Sequence, residues 1–270
     1  LLSENLIQPD SDFSGGQLTT NLRAAHFVDR NRGWVVVDNG TILQTLDSGT
    51  TWTAQMTNTS VQLSAMSFVQ GPQDWEGWEV GKSGTILTSF DGGTNWRPQQ
   101  GPVRVDFNAV HFVGSSHGWV VGENGTIFST TSGGNTWNRQ PNNNYVSLRA
   151  IYFVSQSHGW AAGKSGTILH TINGGTSWLP QPSPTDQDLF SIHFSSPSQG
   201  WIAGKGKEIL HTLDGGDSWT SIASPAAWLF SVHFSSSAQG WILGRGTRIL
   251  RTEDAGRSCT FQTSNSTPAL

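Results

Sequence analysis

The chain has one cysteine and two tyrosines in 270 residues, and only 13% of it is charged. The single thiol, Cys259, excludes an internal disulfide and a thiolate metal cluster. No run of about 18 apolar residues occurs, so no segment reads as a membrane-spanning helix. Charged residues fall well below the usual share of about 25%, and Gly, Ser, Thr, Asn and Gln take their place. A polar but weakly charged surface of this kind suits a protein outside the cytoplasm. The net charge of −4 argues against nucleic acid as a partner, which calls for a basic footprint. Helical periodicity is missing throughout, so the Gly-rich turns are not phosphate loops, which need a following helix. The chain begins Leu1-Leu2-Ser3-Glu4 rather than with Met, which reads as a processed product whose leader is gone.

Glycine and tryptophan are abundant instead, at 32 and 13 residues, and they are periodic. A Gly-Trp pair places Trp34, Trp78, Trp119, Trp160, Trp201 and Trp241 at steps of 44, 41, 41, 41 and 40 residues. A second tryptophan follows each by 18 residues, at Trp52, Trp96, Trp137, Trp178 and Trp219, with Cys259 in the sixth place. There Cys259 reads as a small apolar filler. A period near 40–45 residues in a strand-rich chain is the mark of a propeller. The repeats run approximately 22–62, 63–106, 107–147, 148–188, 189–228 and 229–262, within a single domain spanning 1–270.

The fourth copy predicts four strands: 148–154, 159–163, 167–171 and one starting at 177–180. Lys164-Ser165-Gly166 reads as a tight hairpin in which Gly supplies the positive φ. Stacking such sheets radially covers both faces of each and leaves only short edges. The expected fold is therefore an all-β propeller of six four-stranded blades, or seven if residues 1–20 form a degenerate unit.

The turn before strand four reads Thr45-Leu46-Asp47-Ser48-Gly49-Thr50-Thr51-Trp52 in the first copy. It resembles the Asp-box, or bacterial neuraminidase repeat. Asp47, Asp91, Asp214 and Asp254, with Trp52, Trp96, Trp137, Trp178 and Trp219, then read as structural. A short carboxylate can accept hydrogen bonds from its own turn, and Ser132 and Asn173 can do the same in copies three and four. Sialidases carry this box, but they also need an arginine cluster, a Tyr nucleophile paired with Glu, and an acid/base Asp. Tyr152 occupies a strand-one position filled by His26, His111, His193 and His233 elsewhere, so it reads as packing. No glutamate has an evident carboxylate partner of the kind a glycosidase requires. Equivalent histidines in different blades are expected to lie apart unless they line an axis, so no metal or cofactor is expected.

The whole repeat, Leu-x-Ala-Ile-x-Phe followed by Gly-Trp-x-x-Gly-x-x-Gly-Thr-Ile-Leu-x-Thr-x-Asp-Gly-Gly-x-x-Trp, resembles the photosystem II assembly and stability factor family. The segment from Gly77 to Trp96 is a close match. The resemblance implies a non-enzymatic luminal scaffold, seven-bladed in its photosynthetic members, that binds a newly made reaction-centre subunit.

In an up-and-down blade, the two–three hairpins and the inter-blade loops share one face. There Lys164, Lys205, Lys207, Arg245 and Arg248 concentrate in copies four to six, and Arg149, Arg139 and Trp228 are expected to join them. Trp228 lies outside the repeat positions. These residues read either as soluble turn residues or as a surface for a protein partner. The partner expected is an acidic or carboxylate-ended segment of a membrane protein. Expected locations are the thylakoid lumen, the periplasm or the exterior. On the opposite face, Trp75 and Glu76 are expected in an enlarged loop, Gln70 to Glu76. The alternative functions are a carbohydrate-binding surface propeller and, less favoured, a divergent glycosidase.

Overall fold

The computed structural model describes residues 21–99, 101–246 and 248–262. Among these there are six four-stranded antiparallel sheets, each a meander in chain order, and no α-helix. The first two sheets are β1–β4 (Leu22–Phe27, Gly33–Val37, Ile42–Thr45, Thr53–Gln55) and β5–β8 (Leu63–Gln70, Trp75–Gly81, Ile86–Ser89, Arg97–Gln99). The third and fourth are β9–β12 (Phe107–Val113, His117–Gly122, Ile127–Thr130, Asn138–Arg139) and β13–β16 (Leu148–Phe153, Gly159–Gly163, Ile168–Thr171, Leu179–Pro180). The last two are β17–β20 (Leu189–Phe194, Gly200–Gly204, Glu208–Thr212, Thr220–Ala223) and β21–β24 (Leu229–Phe234, Gly240–Gly244, Arg248–Thr252, Thr260–Gln262). These are the blades of an all-β, six-bladed propeller. Two compact units contain them: residues 1–106 hold blades one and two, and residues 107–270 hold blades three to six. The degenerate unit considered for residues 1–20 lies outside the described residues.

The second strands of blades one to five are covered on both sides, which is why Gly-Trp-x-x-Gly carries no polar alternation. Strand β14 is buried along its whole length. Within each unit the blades are joined by one device. The Gly-Trp indole of one blade stacks on the strand-one phenylalanine of the next, with centroids 3.8 Å apart for Trp34–Phe68 and 3.6 Å for Trp119–Phe153, Trp160–Phe194 and Trp201–Phe234. The same phenylalanine meets the second tryptophan of its own blade edge-on, as in Phe153–Trp178 at 5.9 Å. Stacked and edge-on pairs of this kind add about 0.5–1.5 kcal/mol each beyond area burial.

The glycine before each tryptophan follows from this packing. A Cβ on Gly159 would lie 2.4 Å from the ring of Phe153, and one on Gly200 2.4 Å from that of Phe194. Three indoles are also tethered across the junction: Trp119, Trp160 and Trp201 each donate Nε1–H to a turn carbonyl of the next blade, Gly174, Gly215 or Ala255, at 2.8 Å. In the first unit the side-chain amide of Gln44 takes the corresponding carbonyl of Gly92 at 2.7 Å, and Trp34 Nε1 has no partner.

Blades one and six differ. Phe27 is 52% exposed, whereas Phe68, Phe153, Phe194 and Phe234 are 2–5% exposed. In the sixth blade Trp241 is only half-buried, and the guanidinium of Arg251 lies 6.0 Å from its ring.

One local expectation is corrected and a second is extended. Blade two's extra residues lengthen its first two strands, with Gln70 opposite Trp75 and Val69 opposite Glu76, so neither residue is in a loop. Trp75 packs against the core of the first unit and Glu76 is buried. In the two–three turns of blades one to four, Gly has the expected positive φ and the residue before it shares it. Ser165 stands at φ +54 beside Gly166 at φ +67, and Ser83 and Asn124 do likewise in their copies. Short polar side chains tolerate this region better than bulky ones.

Glu79 is a misfit in this core. It lies mid-strand in β6 between Met66 and Leu87, where the other copies carry Val35, Val120, Ala161, Ile202 and Ile242. It is wholly buried, and neither carboxylate oxygen has a hydrogen-bond partner. Burial therefore raises its pKa well above 4.5. The folded state holds this proton more tightly than the unfolded chain does, so stability falls as pH rises from 4.5 toward the raised folded value. Glu79→Gln and Glu79→Val are expected to raise Tm at neutral pH by several degrees, with the gain shrinking toward acid pH in thermal melts. In denaturant unfolding, Phe153→Ala is expected to cost about 3–5 kcal/mol. Phe27→Ala, at an exposed position, is expected to cost less than about 1 kcal/mol.

Candidate protein-binding surface

A repeated backbone contact places the hairpin cations. The first residue of a two–three turn donates its N–H to the residue that precedes strand one of the same blade. Lys164 bonds Ser147 at 3.0 Å, Lys205 bonds Asp188 at 2.8 Å and Arg245 bonds Trp228 at 3.0 Å. Each cation therefore sits beside the incoming inter-blade loop. Trp228 is held twice, because its own N–H also donates to the carbonyl of Lys205 at 3.2 Å. It is clamped between the hairpins of blades five and six.

The clamp holds Trp228 at φ +58, in the left-handed region that bulky residues avoid. Its ring nevertheless remains 37% exposed. Lys205 Nζ lies 5.4 Å and Arg245 Cζ 5.9 Å from the ring centroid. Both distances lie within the range of cation–π attraction. Phe190 lies 6.3 Å from Trp228, Phe230 lies 5.8 Å from Phe190, and Arg149 Cζ lies 5.6 Å from the Phe190 ring. The result is a continuous aromatic shelf edged by three cations.

The predicted residues divide. Arg149, Lys205, Arg245 and Trp228 come together. Among the described residues no carboxylate pairs with Lys205 or Arg245, whereas Arg149 is 3.9 Å from Asp188 and Lys164 is 3.9 Å from Glu123. The Glu123 carboxyl is held below its ordinary pKa, first by the hydrogen bond from Ser147 Oγ and then by Asn108, Lys164 and Arg149. Lys207 is exposed, and its backbone carbonyl accepts from Ser224. Arg248 lies over Phe261, 6.0 Å from the ring centroid, on the outer strand of blade six. Arg139 lines a separate cavity of about 320 Å³ with Gln140, Pro141 and Tyr145.

Sequence reasoning missed Phe190 and Phe230. Both occupy the second position of strand one, where the other copies hold Arg23, Ser64, Asn108 and Arg149. A large aromatic at a variable repeat position, in two successive copies, was the available signal.

The Asp-box carboxylates bond to their own turns. Asp47 accepts from the Thr51 N–H at 2.8 Å, the Thr51 hydroxyl at 2.7 Å and the Thr45 hydroxyl at 2.9 Å. Asp214 makes the same three bonds with Ser218 and Thr212, and they lower its pKa to about 2. Asp91 accepts from Asn95 N–H at 2.9 Å and Asp254 from Ser258 N–H at 2.8 Å. Trp96, Trp178 and Trp219 are buried, and Trp52 and Trp137 are half-buried. Cys259 Sγ lies 3.8 Å from the Gly256 carbonyl, in the place where Trp52 Nε1 donates to Gly49.

The strand-one histidines are not far apart. His111, Tyr152, His193 and His233 form a ladder with successive ring centroids 4.7, 5.0 and 4.7 Å apart. Burial, followed by His233 and His111, lowers the pKa of His193 to about 3. Among the described residues no group of three His, Cys, Asp or Glu side chains is arranged to hold a metal ion.

The family model of the photosynthesis system II assembly factor YCF48 matches residues 16–101, 95–180, 143–226 and 181–261. The chain belongs to the YCF48 family. Among solved structures, YCF48 bound to D1 peptide is 21% identical, with a TM-score of 0.72 over 90% of this chain and 81% of that one. YCF48 from Cyanidioschyzon merolae is 21% identical, with a TM-score of 0.73 over 92% of this chain and 87% of that one. A GH74 enzyme from Niastella koreensis is 14% identical with a TM-score of 0.73, but the match spans 89% of this chain and 46% of the enzyme. At these identities the structural likenesses show the shared propeller fold alone. Among curated proteins none matches the sequence.

His193 supplies a test of the ladder. Its neutral ring is favoured in the folded state, so its contribution is present above pH 6.5 and is lost as pH falls toward about 3. His193→Phe is expected to lose Tm less steeply than the parent between pH 6.5 and about pH 4 in thermal melts.

Proposed function

We propose that this chain is a non-catalytic scaffold outside the cytoplasm that holds an acidic or carboxylate-ended segment of a membrane protein. As in its family, that partner would belong to a photosystem under assembly. The surface assigned to this task is the shelf of blades four to six. The observation that carries the reading is the pair Lys205 and Arg245, two exposed cations without a carboxylate partner among the described residues, held at the edge of an exposed indole. What sets these two apart is that both flank the ring of one exposed indole. Family membership supports a protein partner, and so does the existence of a YCF48 structure with a bound peptide. The Asp-box carboxylates are engaged by their own turns, which speaks against a catalytic role for them.

The reading predicts salt-sensitive binding. The Debye length falls from about 10 Å at 0.1 M salt to about 3 Å at 1 M, so affinity for the partner should fall over that range. Reversing both charges, Lys205→Glu with Arg245→Glu, should weaken capture from detergent-solubilised photosynthetic membranes by about tenfold or more, since partly desolvated charge pairs are worth about 1.5 kcal/mol or more each. Undiminished capture by the doubly reversed protein would remove this surface from the proposal.

A further inference from the structure

We propose that the shelf reads an apolar side chain within the last two residues of the bound segment, alongside its carboxylate. This rests on the reading that Lys205 and Arg245 take a carboxylate, and it adds the specificity of the site.

Repeat packing does not call for the three rings that make the shelf. The strand-one position of Phe190 and Phe230 accepts Arg, Ser and Asn in the other copies, and Trp228 stands in an inter-blade loop outside the period. Two of the rings are not core residues, because Phe230 is 49% exposed and Trp228 37%, and Phe190 is only half-buried. Packing therefore explains neither their identity nor their exposure. Trp228 makes the point most sharply. At φ +58 a glycine would be favoured, yet the loop carries the largest side chain available. Two backbone hydrogen bonds hold Trp228 in this strained conformation; such strain clusters at ligand clamps, and Trp and Arg are enriched among interface hot spots.

Spacing sets the register. The cations stand 5.4 and 5.9 Å from the centre of the indole. Consecutive Cα atoms of a bound peptide are about 3.8 Å apart. A carboxylate at Lys205 and Arg245 therefore puts the side chain of the last residue, or of the one before it, over Trp228 and Phe230. Removing an apolar side chain from water against three aromatic faces adds affinity that charge alone does not supply. A peptide also suits this site better than a nucleic acid. Two unpaired cations do not make a phosphate track, and Asp188 lies beside Arg149, the third cation of the shelf, and Glu123 beside Lys164.

The test uses the full chain and four fluorescent hexapeptides that end in Leu-Leu or Ser-Ser, each as the free acid or the amide, followed by anisotropy. The Leu-Leu acid is expected to bind about tenfold more tightly than the Ser-Ser acid, a difference of about 1.4 kcal/mol. Trp228→Gly combined with Phe230→Ser should abolish most of that ratio while keeping the preference for acid over amide. Trp228→Gly alone should hold or raise Tm, because glycine suits the left-handed backbone. A fall in Tm of several degrees would mark the indole as a core residue and overturn the proposal. Equal affinity for the Leu-Leu and Ser-Ser acids, with acid still preferred over amide, overturns the apolar shelf and leaves the carboxylate reading standing. Absence of any acid-over-amide preference overturns both.

Discussion

A tryptophan lying flat on the phenylalanine of the next blade is the contact on which the rest of this structure depends. It joins sheets that share no hydrogen-bonded strands. It also explains three residue types at once: the indole, the ring beneath it and the glycine that leaves room for that ring. Within each unit the strand order, the buried second strands and the placement of the loops follow from repeating this contact. Trp119, Trp160 and Trp201 add a hydrogen bond to the neighbouring turn, so the same residue supplies both contact area and register. At Trp241 of blade six, the guanidinium of Arg251 stands near the indole.

Charge is distributed with similar economy. The chain is poor in ionisable groups, and most carboxylates already have local work. Asp47, Asp91, Asp214 and Asp254 bind their own turns, and Glu123 and Asp188 lie beside Lys164 and Arg149. Glu79 lies buried with no partner at all. Among the basic residues without an acid partner in the described residues, Lys205 and Arg245 stand out because they share one exposed ring, that of Trp228. The shelf does not require a basic protein, only two cations that no neighbouring acid neutralises.

The fold was legible because its signals are local and repeated. The Gly-Trp spacing, the apolar strand runs and the turn residues recur in each copy, and β13 to β16 lie close to where the fourth copy places its strands. The shared face of hairpins and loops was also accessible, since it follows from strand alternation. What remained hidden depends on neighbours in other blades. Phe190 and Phe230 gain meaning only when blades five and six bring them beside Trp228. The ladder from His111 to His233 needs the angle between successive strands, which no single copy encodes. Trp75 misled because an insertion can lengthen a strand pair as readily as a loop, and a spacing of 44 residues does not distinguish the two.

The glycine beneath each phenylalanine constrains how such a chain can change. At 2.4 Å from the Phe153 ring there is no room for even a methyl group on Gly159. Alanine there would displace the ring, and a displaced ring would uncover Trp119 in the adjoining blade. A viable change must therefore alter two positions in one copy and accommodate a third in its neighbour. Surface loops are free of that condition, and the inter-blade loops of this chain differ from copy to copy while the Gly-Trp pair and the strand-one phenylalanine recur in all six.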